Sequence, residues 1–225
     1  MPNYALISEG ITDQVILEKI IYTIIEAASG EEPDINILQP YRDATDNARQ
    51  AKESFGGWEQ VLEFCENPTK LSEALAFNDF LVIHIDTDCC EHQNFGVSLH
   101  RDETEIPVDE LIKNVEDLIN KKLTANFTAV YSERVIFAIA VHATECWLIP
   151  AHEPLLKKKN RTKSCEDHLK RALAKSGNHF EKNHDTYFKL SSCFNKLKNI
   201  NTHKQHNRSL EIFIDNLESS ILKPA

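Results

Sequence analysis

Five acidic positions in this chain are placed where they can share a cation. Residues 81–88 read LVIHIDTD, a short run rich in Val and Ile that passes straight into Asp86 and Asp88. Such a run reads as a strand buried on both faces. Residues two apart in an extended chain point the same way, so these two carboxylates can grip one ion. Glu9 follows another short apolar run, residues 4–8 (YALIS), and Asp13 lies one helical turn beyond it. Glu145 comes soon after a third run, residues 135–141 (VIFAIAV). Carboxylates held close together raise one another's pKa unless a cation sits between them. Hard oxygen ligands favour Mg²⁺ or Mn²⁺ over zinc. An ion held this way, with water positions left open, suits phosphoryl chemistry. Taken singly, each residue has a plainer explanation: Asp13 as a helix-start charge, Glu145 as a surface acid, His142 as a core histidine. The argument rests on three strand ends that each deliver acid.

The elements that must position these acids alternate along the chain. After the strand at residues 4–8, Glu9-Gly10 reads as a turn and Thr12 as a helix N-cap, with Asp13 in the first turn. Val15, Ile16, Leu17, Ile20, Ile21, Ile24 and Ile25 recur at helical spacing up to a stop at Gly30. Residues 35–38 predict a second strand, and residues 41–54 are polar. Helices are expected over 58–66 and 71–77, before the central strand. Residues 91–105 read as a loop beside the site. Pro107 opens a further helix, and 135–141 is the fourth strand. Helices are expected at 165–174, 186–197 and 210–222. Strand and helix in alternation predict an α/β fold, a mostly parallel four-stranded sheet with helices on both faces and a carboxyl-terminal helical segment. The expected division is 1–150 for the sheet domain and 151–225 for the helical segment. In such sheets ligands bind beyond the carboxyl ends of the strands, which gathers Glu9, Asp86, Asp88 and Glu145 at one edge.

Composition sets the outer bounds. The chain has 225 residues and a net charge of −10, and no apolar run approaches the roughly 20 residues of a membrane span. The start, MPNYALISEG, lacks the basic and apolar regions of a signal peptide, so the expected location is the cytoplasm. The six cysteines form no CxxC pair, and reduced thiols are expected. The charge is uneven. Residues 151–210 hold 14 Lys+Arg against 5 Asp+Glu, and the remainder holds 11 against 30. A basic segment on an acidic body is a candidate phosphate grip, and a solvated helical surface is its plainer alternative.

The motifs resemble the Toprim domain shared by topoisomerases, primases and a set of nucleases. Ser8-Glu9-Gly10-Ile11-Thr12-Asp13 is similar to the family's EGxxD turn, and Asp86-Thr87-Asp88 to its DxD. Glu145-Cys146-Trp147-Leu148 resembles the Glu-x-Trp-Leu element of small bacterial Toprim proteins, akin to overcoming-lysogenisation-defect nucleases and to Toprim effectors of phage defence. The likeness covers residues 4–150, with a looser match at Tyr187-Phe188-Lys189 and Asn207-Arg208-Ser209-Leu210. It implies Glu9 as acid/base or metal residue and Asp86 and Asp88 as metal ligands. Asp13 and Glu145 would complete the shell, and Lys189 would be the basic residue that steadies transition-state charge, with Lys182, Lys196 and Lys198 nearby. Cys89-Cys90-Glu91-His92 departs from the topoisomerase and primase continuation, and no tyrosine is placed for strand rejoining, so religation and priming are set aside.

The resemblance implies a Mg²⁺- or Mn²⁺-dependent nuclease cutting DNA or RNA, gripping backbone phosphates with residues 157–208 and serving in defence against phage. A second reading is a Toprim-like subunit controlled by a separate ATPase, since the chain carries no GxxxxGK[ST] loop of its own. A third is a phosphotransferase with Asp86 as nucleophile, against which the late position of its DxD counts. The expected partners are nucleic acid, such an ATPase and a second copy of the chain, with no membrane.

Overall fold

The structure is a computed structural model, and it describes residues 2–41, 57–152, 162–175 and 177–221. Most of the polar stretch 41–54 and residues 157–161 of the basic segment lie outside the described residues. The first strand, β1 (Asn3–Ile7), leads into helix α1 (Ile11–Ser29) and strand β2 (Asp34–Gln39). Helices α2 (Trp58–Cys65) and α3 (Pro68–Phe77) precede the central strand β3 (Phe80–Asp86). A two-residue hairpin, β4 (His100–Arg101) with β5 (Thr104–Glu105), interrupts the expected loop. Helices α4 (Val108–Lys122) and α5 (Ala125–Tyr131) then lead to strand β6 (Val135–Ala140). Among the described residues five α-helices follow: α6 (Glu145–His152), α7 (Cys165–Lys175), α8 (His184–Leu190), α9 (Leu197–Lys204) and α10 (Arg208–Ile221).

Four strands form one sheet in the order β2-β1-β3-β6, and every pairing in it is parallel. The α/β class and the four-stranded parallel sheet expected from the alternation are therefore present. Side chains alternate between two covered faces, as the period of a strand requires. Tyr4, Leu6, Phe80, Val82, Ile136 and Ala138 pack against α1 and the carboxyl-terminal helices. Ala5, Ile7, Leu81, Ile83 and Ile85 pack against α2, α3 and α4. Burial on both faces explains why β1 and β3 are almost unbroken apolar runs. The carboxyl-terminal helices share one core with α1 and the sheet.

Local chemistry accounts for where the elements begin and end. Helix α1 starts one residue after Gly10, whose carbonyl accepts from the amide of Gln14 at 3.2 Å. Thr12 thus lies inside the first turn rather than at the cap. Gly30 ends the helix at φ 75, a left-handed conformation that glycine adopts without strain. The element Trp147-Leu148 is buried under α10. Trp147 stacks on Phe213 with ring centroids 5.4 Å apart and donates its Nε1–H to Ser209 Oγ at 2.8 Å. Asn207 donates its side-chain amide to the carbonyl of Cys146 at 3.0 Å. Asn207 and Ser209 therefore lock α6 onto the helix that covers β6.

The expectation of reduced thiols is corrected at one pair. Cys146 on α6 and Cys165 on α7 are joined by a disulfide, with their Cα atoms 5.0 Å apart. The pairing comes from two helices packing together, which residue spacing does not reveal. Among the described residues no helix is long and apolar enough to cross a membrane. Replacing Cys165 by Ser should lower the free energy of unfolding by about 2–4 kcal/mol. Urea unfolding with and without reductant checks this, because reductant should erase the difference between the two proteins.

Candidate metal centre

The parallel register brings the acids together at the carboxyl edge of the sheet. Strand β3 ends at Asp86, opposite Ala140 of β6, while Ile7 of β1 lies opposite Ile83. Glu9 bridges the step between them: its Oε1 accepts the backbone N–H of Asp86 at 2.6 Å. Asp13 reaches the same place from the first turn of α1, and Glu145 from the first turn of α6. The ligand atoms of Asp13, His84 and Asp86 lie within 4.8 Å of one another.

His84 was not singled out from the sequence, yet a signal for it existed. It is the polar residue within the apolar run of β3 and stands two positions before Asp86, so both face α1. The fully buried ring sets its Nε2 2.7 Å from Thr144 Oγ1 and 3.4 Å from Asp86 Oδ1. Asp88 differs from the expectation. The strand stops at Asp86, and Thr87 and Asp88 turn away through their backbone N–H groups, which donate to the carbonyls of Ala140 and His142 at 3.0 Å each. Asp88 is exposed in that turn. Its charge still reaches Glu9, so it stands on the rim rather than paired with Asp86 along one strand face.

Among the described residues the lysine that meets the acids is Lys182, which the sequence offered as a nearby rival to Lys189. Its Nζ lies 3.1 Å from Glu145 Oε1. Tyr187 donates its hydroxyl to the same oxygen. Lys189 is exposed on α8. The rest of the basic surplus is partly taken up within the protein. Arg208 pairs with Asp109 and Glu211, Lys204 with Asp215 and Glu218, Lys170 with Glu166 and Lys163 with Glu105. Among the described residues, Lys175, Lys189, Lys196 and Lys198 form no ion pair.

The electrostatics divide the acids into two sets. Glu145 is buried, which alone would raise its pKa, but Lys182 and Tyr187 hold it below the usual carboxylate range. Glu9 is pushed up to about 9 by burial and then by the charge of Asp86. Asp13 is pushed up to about 7 by burial and then by Asp86. Burial also raises Asp86, in spite of its hydrogen bonds to His84 and Thr144. For His84, burial favours the neutral ring, but Asp86, Asp13 and Glu145 together carry its pKa above the ordinary value.

Asp13 is the decisive residue. It is only 7 % exposed, and among the described residues its carboxylate meets no hydrogen-bond donor and no ion-pair partner. A buried carboxylate is costly unless it is paired or binds a metal. Gly10 provides room for it: a Cβ built there would come within 3.0 Å of Asp13 Oδ2. At φ −144 the backbone of Gly10 suits any residue, so glycine serves there by the space it leaves for the Asp13 carboxylate. The donor set, several hard oxygens with one imidazole nearby, fits Mg²⁺ or Mn²⁺.

Comparison with protein-family models, with curated proteins and with solved structures finds no match for this chain.

Two outcomes test the electrostatics. Glu9 and Asp13 have raised pKa values when folded, so the metal-free fold binds more protons than the unfolded chain. Their contribution is fully present below the ordinary values of 4.5 and 3.8 and is lost as pH rises through about 7 and about 9. Thermal unfolding in EDTA should therefore show the melting temperature falling between those limits. Added Mn²⁺ should restore it most at the alkaline end, and Glu9→Gln with Asp13→Asn should flatten the profile. Separately, Gly10→Ala should weaken Mn²⁺ binding by about 10–100-fold, the range found when groups supporting a metal ligand are disturbed. Titration followed by electron paramagnetic resonance measures that loss.

Proposed function

We propose that the protein is a metal-dependent nuclease of the Toprim type, hydrolysing phosphodiester bonds in DNA or RNA, with a role in bacterial defence against phage. The observation that carries this reading is the buried, donorless carboxylate of Asp13 beside Asp86 and His84 at the sheet's carboxyl edge. The EGxxD, DxD and Glu-x-Trp-Leu residues all converge on that edge, which supports the same reading.

Asp13 and Asp86 hold the cation, with Glu9 and Glu145 alongside and Asp88 at the rim. When bound, Mg²⁺ or Mn²⁺ supplies charge neutralisation at the scissile phosphate and acidifies a water. Beside a bound cation, the carboxylates whose charged forms burial disfavours would be ionised. Glu9, anchored through one oxygen on the amide of Asp86, accepts the proton of the attacking water. Lys182, already poised against Glu145, steadies the charge that builds on the phosphate, the role that the resemblance alone would give to Lys189. The unpaired Lys175, Lys189, Lys196 and Lys198 contact backbone phosphates, which requires binding to weaken steeply with salt.

Purified protein incubated with plasmid, linear DNA and tRNA should cleave at least one of them with Mg²⁺ or Mn²⁺ and none with EDTA. Glu9→Gln and Asp86→Asn should each lower the rate by about 10²–10⁴-fold. Lys182→Ala should lower it by about 10²–10³-fold, and Lys189→Ala should chiefly weaken substrate binding. Cleavage that survives both acid substitutions would end the assignment.

A further inference from the structure

We propose that Thr144 and His84 are a positioning pair that holds Asp86 so that it coordinates the cation through a single oxygen, Oδ2. The inference rests on the metal centre described above and concerns how that centre is built. Thr144 is fully buried in the turn between β6 and α6. Its hydroxyl donates to Asp86 Oδ1 at 2.8 Å, and its backbone N–H donates to the same oxygen at 3.1 Å. Oδ1 is thus held twice by Thr144, with His84 Nε2 a further 3.4 Å from it, whereas among the described residues Oδ2 of Asp86 has no hydrogen-bond partner.

The hydrogen-bond inventory then fixes the role of the ring. Thr144 has one hydroxyl proton, and Asp86 as a carboxylate can only accept it. At 2.7 Å from the same hydroxyl oxygen, His84 Nε2 must therefore be the donor. A nitrogen that carries a proton has no lone pair for a metal. Through Nε2, His84 therefore acts on Thr144 rather than on an ion, although its atoms lie among the candidate ligands. Its other nitrogen, Nδ1, is buried with no hydrogen-bond partner among the described residues. The order is His84 to Thr144 to Asp86, each group orienting the next, as the outer partners of a metal site do.

The test uses the full chain and Mn²⁺ alone. Thr144→Val keeps the shape and removes the hydroxyl, and it should weaken Mn²⁺ binding by about 10–100-fold. Thr144→Ser restores the hydroxyl and should restore binding. If the valine variant fails to fold by circular dichroism, Thr144→Ala takes its place with the same expectation. Electron spin-echo modulation of the bound Mn²⁺ should show no directly coordinated imidazole nitrogen in the parent protein. Parent-like affinity in the valine or alanine variant, failure of the serine variant to recover, or a directly coordinated nitrogen would each overturn the proposal. If the parent does not bind Mn²⁺, the proposal and the metal centre both fail. If it binds Mn²⁺ as described but cleaves no nucleic acid, only the nuclease reading fails.

Discussion

A nearly buried carboxylate that meets no donor among the described residues sets the terms for the rest of this structure. Asp13 lies in the first turn of α1 among other buried polar groups, and Asp86 and Glu145 add to the strain of like charge. The fold answers that strain in only two places. Lys182 and Tyr187 settle Glu145, and His84 with Thr144 settles one oxygen of Asp86. The side that remains unsettled is the side on which the proposed cation would sit. Buried acids cost stability, so their presence here fits the proposed binding role better than a structural one.

The geometry depends on sheet topology more than on any one residue. Three parallel strands end side by side, and Asp86 at the end of β3, Glu9 just past β1 and Glu145 past β6 are delivered to the same rim. Helices α1 and α6 then start at that rim, which brings their first-turn carboxylates within reach. Gly10 is small enough for the Asp13 carboxylate to fold back over the turn. Trp147, clamped by Phe213 and Ser209, fixes the helix that carries Glu145.

Much of this was legible in the order of residues, for reasons that can be stated. Strands buried on both faces are uniformly apolar, so residues 81–85 and 135–141 declared themselves, and so did the helix after Gly10. The convergence of Glu9, Asp86 and Glu145 followed from strand order alone. What failed to show depended on contacts distant in sequence. The pairing of Asp86 with Asp88 assumed that the strand ran two residues further, but hydrogen bonds from Thr87 and Asp88 to β6 and the turn after it end it at Asp86. Lys182 could not be told from Lys189 without knowing how α8 lies against α6. The bond between Cys146 and Cys165 likewise depends on the packing of two helices. His84 is a polar break two places before Asp86, but a lone histidine in a strand is usually a core residue, so the sequence alone does not mark it as part of the site.

The contacts that complete the acid rim join distant parts of the chain. Glu9 meets an amide 77 residues away, and Glu145 meets a hydroxyl 42 residues further on. During synthesis the amino-terminal strands emerge first, and Glu145 lacks Lys182 and Tyr187 until residues 182–187 have left the ribosome. Until then the half-built rim is a repulsive, open edge. Such long-range closure slows folding and leaves the nascent sheet exposed for longer, so a divalent ion that binds early would act as a folding aid.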